Sequence, residues 1–116
     1  MKRAFRLTRS TDIQRVRRSG KSYAHPLVVL YVLRSDVPGT HVAVSAGLAV
    51  GNAVKRNRAK RLLRAAMTDL LPGTETGSDM LLIARSPLPA ANVQQTREAL
   101  SNLLKRAGLL DKAYDL

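Results

Sequence analysis

The spacing of apolar residues changes period several times along the chain, and each change marks an element. Around residues 11–19, Ile13 and Val16 share one face, which predicts a helix from about Thr11 to Ser19 with Ser10 as N-cap and Gly20 as its stop. "PLVVLYVLR" at 26–34 is apolar on both parities, the pattern of a strand covered on both faces, with Pro26 confined to its beginning. "HVAVSAGLAV" at 41–50 predicts a second strand, antiparallel to the first across a turn-length gap. Helical spacing returns from about Asn52 to Leu71, where Pro72 and Gly73 end it. "DMLLIAR" at 79–85 reads as a third strand. Asn92 then caps a helix with a stripe of Val93, Thr96, Leu100, Leu103, Leu104 and Ala107, closed by Gly108.

The connectors fall where Pro and Gly cluster, at 35–40, 71–79 and 86–92. The order αββαβα predicts an α+β sandwich, a small mixed sheet with helices packed on it. The strand–helix–strand unit from 41 to 85 requires one parallel pairing. The chain of 116 residues reads as a single domain spanning 1–116, with a basic arm at 1–9 and a tail at 109–116. An arm of that composition often lacks order of its own.

Composition narrows the partners. The longest apolar run, Leu27 to Leu33, is seven residues, so no membrane-spanning segment is expected. With no cysteine, disulfides and thiolate metal sites are excluded, and a cytoplasmic location is the default expectation. The opening "MKRAFRLTRS" lacks the apolar run of a secretory signal, and Ser10 onward reads as an integral helix rather than a transit peptide. A net charge of +12 and a pI near 11.3 create self-repulsion that a polyanion would neutralise. Fourteen of the twenty cations lie in residues 1–21 and 55–64.

The second of these segments concentrates the charge. Ala59, Leu62, Leu63, Ala66 and Leu70 fall within an arc of about 100° on a helical wheel, with Met67 on its border. Asn57, Lys60, Arg61 and Arg64 occupy the opposite arc; Arg56 and Arg58 flank the apolar stripe, and Lys55 precedes them. Arg56, Lys60 and Arg64 are like-charged i, i+4 neighbours, each pair costing about 0.2–0.5 kcal/mol. Cations in the first turn oppose the helix dipole by about 0.3–1 kcal/mol each. A phosphate backbone reverses both signs, because clustered guanidinium forks and free helix amides then face the same anion. Lys55, Arg56, Asn57, Arg58, Lys60, Arg61 and Arg64 are therefore the expected nucleic-acid-binding residues, with Asn57 able to bond a ribose or base edge or to brace the arginines.

Catalytic chemistry is thinly represented. His25 and His41 are placed at opposite ends of adjacent strands, and surface histidines near strand starts account for them. The eight acids are dispersed; Asp111 with Asp115 comes closest to a pair, in the tail. No metal site and no small-molecule substrate are expected. A DNA-binding helix lacks its short-spaced partner helix, an RRM-like surface lacks its aromatic runs, and a membrane-surface helix would need the stripe that the core uses.

"VGNAVKRNRAKRLLR", Val50 to Arg64, resembles the signature of the bacterial ribonuclease P protein subunit, Gly-Asn-Ala-Val followed by an Arg-Asn-Arg helix. "STDIQRVRRSGKSYAHPLVVLYVL" resembles that family's first helix and strand, and "HVAVSAG", "DMLLIAR" and "LLKRAGLL" its later elements, so the likeness runs from about Arg6 to Leu110. The resemblance implies an αββαβα domain with a left-handed crossover. It also implies binding to a catalytic RNA whose complex, using Mg²⁺ held by the RNA, removes the 5′ leader of precursor tRNA. The residues of the basic helix named above would face RNA, and Ile13, Arg17, Val29, Tyr31 and Ser45 would line a cleft for the leader. Family members usually carry aromatics at Ile13 and Arg17 and lysines at Leu48 and Ala49, so leader contact here would rely more on the charge of Arg17. A noncatalytic ribosomal or other structured-RNA-binding protein is the alternative that charge and size also allow.

Overall fold

The computed structural model describes residues 1 and 5–114. Three helices and four strands follow in the order α1 Ser10–Ser19, β1 Lys21–Ala24, β2 Val28–Arg34, β3 His41–Ser45, α2 Ala53–Leu70, β4 Ser78–Ala84 and α3 Val93–Arg106. One strand, β1, is absent from the sequence-based expectation. It is a four-residue edge strand exposed at every position but Tyr23, so no alternation announces it.

The sheet order is β1-β2-β4-β3, with β1/β2 and β2/β4 antiparallel and β3/β4 parallel. The expected parallel pairing exists, but β3 does not lie beside β2. β4 is buried at every position except Ile83 and takes the centre, where both of its faces are covered. The loop at 35–40 spans the intervening strand, a distance of about 10 Å that six residues cross easily. The predicted second strand is also shorter than expected: after Ser45 the chain turns through a 3₁₀ segment at Leu48–Val50. Gly51, at φ +131°, then redirects it into α2, a conformation that disfavours any side chain.

Side-chain alternation divides the sheet into two unequal faces. Val28, Leu30, Val42, Met80, Leu82 and Ala84 join the main core, together with Leu63, Met67 and Leu70 of α2 and Leu100, Leu103 and Leu104 of α3. On the other face Val16 of α1, Ala43 and Leu81 are the only buried apolar side chains among the described residues, with Ile13, Tyr31, Leu33 and Ile83 packed around them. α2 and α3 carry side-chain caps: Asn52 accepts from the Lys55 amide at 3.0 Å, and Asn92 and Gln95 form a reciprocal capping box. α1 differs from expectation, because Arg9 holds the N-cap position without a side-chain bond and Ser10 is already helical.

Within the arm, the Leu7 amide donates to the Val42 carbonyl at 2.8 Å, covering part of the outer edge of β3. Lys2 and Arg3 lie outside the described residues, as does Asp115. Tail residue Tyr114 offers its carbonyl to Lys105 Nζ at 2.8 Å.

Candidate nucleic-acid interface

α2 is amphipathic as its sequence requires. Ala59, Leu62, Leu63, Ala66, Met67 and Leu70 are all buried, the whole of the predicted stripe. Lys55, Asn57, Arg58 and Arg61 are exposed, while Arg56, Lys60 and Arg64 are half-buried along their stems. Among the described residues no carboxylate answers this ridge. Among the described residues the ion pairs are Arg15 with Asp12 and Asp79, His41 with Asp79, and Arg97 with Asp69; none includes a cation of residues 55–64. The first turn of α2 contains no acid either. Arg56 Nε is buried without a hydrogen-bond partner, which leaves one donor of that fork unsatisfied.

Arg58 behaves differently from its neighbours. Its Nε donates to the Pro89 carbonyl at 2.7 Å and Nη2 to the Ala91 carbonyl at 3.1 Å. Two of its donors are thus committed to the protein's own backbone, and only the rest of the fork can meet an external anion. The sequence carries no local signal for this, since the acceptors lie more than thirty residues away. Leu48 and Val54, beside the N-terminal end of the ridge, are exposed at 82% and 73%, the most exposed of the large hydrophobic side chains among the described residues.

The five residues expected at a second surface come from three elements. Register places Val29 opposite Ile83, and Ser45 opposite Ile83 on its other side, so the three form one row across the sheet. Tyr31, Leu81 and Ala43 form the next row, under α1. Ile13 packs against that row, and Arg17, one turn on, is exposed. The fold therefore gathers Ile13, Val29, Tyr31 and Ser45 on one face of the sheet, with Arg17 on the flank of α1 above them. This face lies opposite the one that α2 covers.

The two histidines are not on neighbouring strands, contrary to the expectation from sequence. His25 sits in the β1–β2 turn, where its Nδ1 accepts from the Leu27 amide at 3.1 Å. His41 begins β3, at the far edge of the sheet. The separation follows from the insertion of β4 between β2 and β3. No group of three or more His, Cys, Asp or Glu side chains that could hold a metal ion occurs among the described residues. No helix among them is long and apolar enough to cross a membrane.

A compact α+β domain with an unneutralised cationic helix on one side and a half-open sheet face on the other defines a structured-RNA-binding protein. The family model for ribonuclease P matches residues 1–108. The chain belongs to that family, the protein part of a ribonucleoprotein endoribonuclease that matures the 5′ ends of tRNA. It is 38% identical to the ribonuclease P protein component of Lactiplantibacillus plantarum, over 96% of this chain and 98% of the relative. With that of an Exiguobacterium species it shares 37% identity over 97% of each. The structure of the Staphylococcus aureus RNase P protein superposes with a TM-score of 0.82 at 27% identity, covering 94% of this chain and all of that one. The Thermotoga maritima RNase P protein gives 0.77 at 26% identity, over 87% and 96%. The resemblance first carried by residues 50–64 thus extends to the whole fold.

Proposed function

We propose that this chain binds the catalytic RNA of ribonuclease P through Lys55, Arg56, Asn57, Arg58, Lys60, Arg61 and Arg64. In the same complex it holds the 5′ leader of precursor tRNA over Ile13, Arg17, Val29, Tyr31 and Ser45. The observation that carries this reading is the charge of α2, a ridge of six cations with no carboxylate partner among the described residues. Such a ridge is unfavourable alone and favourable against phosphate, where each contact also releases a condensed counterion. Arg58 contributes through whatever part of its fork the Pro89 and Ala91 carbonyls leave free.

Bond cleavage belongs to the RNA, whose Mg²⁺ ions would activate water and stabilise the leaving oxygen. The protein lowers phosphate–phosphate repulsion between catalytic RNA and substrate, which reduces the Mg²⁺ needed to bring them together. The half-open row Val29–Ile83–Ser45 suits a single strand better than a duplex, because it is a shallow shelf beside a helix and carries one flanking arginine. A cytoplasmic site of action fits a chain without cysteine.

Reconstitution with a bacterial ribonuclease P RNA and precursor tRNA tests the reading. At low Mg²⁺, cleavage should be faster than with RNA alone, and Arg17→Ala should weaken binding of leader-bearing substrate without affecting affinity for the RNA subunit. No stimulation by the parent protein would remove the proposal, and an Arg17→Ala protein with unaltered leader affinity would remove the groove assignment.

A further inference from the structure

α1 is held to the sheet by very little apolar surface. Val16 is its only fully buried side chain, against Ala43 and Leu81. A helix resting on one buried valine and one partly buried isoleucine has weak resistance to rolling about its axis. The wheel of α1 sets Val16 toward the sheet, Ile13 and Arg17 on one flank, and Asp12 and Arg15 on the other.

Each flank stands over a different row of the sheet. Because Arg15 on one flank reaches Asp79, the wheel turns the opposite flank, with Ile13 and Arg17, toward the row Val29–Ile83–Ser45. Asp12 and Arg15 overlook the row Leu33–Asp79–His41. Arg15 Nη2 reaches Asp79 Oδ2 at 3.2 Å and Asp12 Oδ1 at 3.5 Å. Asp79 is 4% exposed, and its Oδ1 has no hydrogen-bond partner, although His41 Nδ1 lies 3.3 Å from it. That last approach is an ion pair only when the imidazole is protonated, so Arg15 is the permanent counter-charge of a buried carboxylate.

We propose that Arg15 and Asp79 are positioning residues of the leader groove: their ion pair fixes the roll of α1, and so fixes the height of Ile13 and Arg17 above Val29, Ile83 and Ser45. The inference rests on the reading of that row as the leader site. Neither residue touches the groove. Asp79 and Ile83 are four residues apart on β4, about 13 Å along the strand. The link is mechanical, through one rigid helix whose opposite flanks face the two rows.

Simple electrostatics and positioning predict opposite signs for Asp79→Asn. Removing a negative charge should strengthen binding of any RNA, whereas releasing α1 should weaken binding of the leader. The measurement is the affinity of the holoenzyme, reconstituted with ribonuclease P RNA, for precursor tRNA with a long leader, divided by its affinity for the same tRNA with the leader trimmed to about one nucleotide. That ratio should fall about 2- to 30-fold in Asp79→Asn and in Arg15→Gln. It should fall no further in the double variant and recover in Arg15→Lys. Arg18→Gln, which removes a neighbouring exposed cation that has no ion pair among the described residues, should leave it nearly unchanged.

Arg15 is the more exposed partner, with a side chain 54% accessible, so its variants keep the test alive if Asp79→Asn fails to fold. The proposal is overturned by a ratio that rises in Asp79→Asn, by equal effects of Arg15→Gln and Arg18→Gln, or by losses that merely add. A parent holoenzyme indifferent to the leader would instead overturn the groove reading itself, and the positioning role with it.

Discussion

Arg58 and Pro89 are tied side chain to main chain: Arg58 Nε donates to the Pro89 carbonyl at 2.7 Å, from α2 to the short 3₁₀ turn Leu88–Ala90 that precedes α3. A second donor of the same guanidinium reaches the Ala91 carbonyl at 3.1 Å, one residue before the cap of α3. The arginine is thus both part of the cationic ridge and a bracket between two helices.

Arg58→Ala is accordingly expected to cost stability, unlike substitutions elsewhere on the ridge. Charge-assisted hydrogen bonds contribute about 1.5–3 kcal/mol each when shielded, and the exposure of this residue points to the lower end. A loss of about 1.5 kcal/mol would lower Tm by roughly 5–10 °C in a domain of this size. Thermal unfolding of Arg58→Ala beside Arg61→Ala checks it; equal melting temperatures would show that the bracket contributes nothing.

Arg61→Ala and Arg64→Ala should leave folding intact and weaken RNA affinity. For every phosphate that the variant no longer engages, the dependence of log affinity on log salt should flatten by at most about one unit. Titrations at several salt concentrations with the RNA subunit read this directly, and a slope identical to the parent's in both variants would place RNA elsewhere on the molecule.

Gly20 is required by proximity, not by backbone conformation. A Cβ there would stand 2.5 Å from the Val16 carbonyl oxygen and 2.7 Å from that of Val32. Both obstacles are main chain, so Gly20→Ala must displace the end of α1 from the sheet, at a cost of about 1–3 kcal/mol. Chemical denaturation measures the cost, and a protein as stable as the parent would mean that α1 is more loosely seated than this close approach implies.

Leu63 lies with no exposed surface between α2 and the main core. Leu63→Ala should lose about 2–5 kcal/mol through the cavity it leaves. RNA affinity of the folded fraction should be unaffected, because the truncated side chain faces away from the ridge. Affinity falling in proportion to stability, after correction for the unfolded fraction, would argue that the ridge and the core are not separable.

Much of this architecture is legible along the chain. α2 announces itself through a stripe of Ala59, Leu62, Leu63, Ala66 and Leu70, every one of which is buried. Asn92 is readable as a cap because a cap and its target amide are three residues apart, whereas the expected cap at Ser10 gives way to Arg9. β1 is not readable, since an edge strand with one half-buried residue leaves no alternation. The parallel pairing of β3 with β4 is readable from the strand–helix–strand order, but the separation of β3 from β2 is not. A six-residue connector permits a hairpin, and only competition for the doubly covered centre of the sheet gives that place to β4.

The candidate sites divide in the same way. Lys55 to Arg64 form a ridge because helical periodicity alone sorts them from the apolar face, and that periodicity acts between residues three or four apart. Val29 and Ser45 become a shared shelf only because both pair with Ile83, and Arg15 meets Asp79 across 64 residues of chain. Residue order and local spacing by themselves determined the helices, the cap of α3 and the sign of the charged face. Tertiary structure decided which strand lies in the middle, which side chains share a row and which arginines are already committed, because those outcomes depend on distant segments competing for the same buried surface.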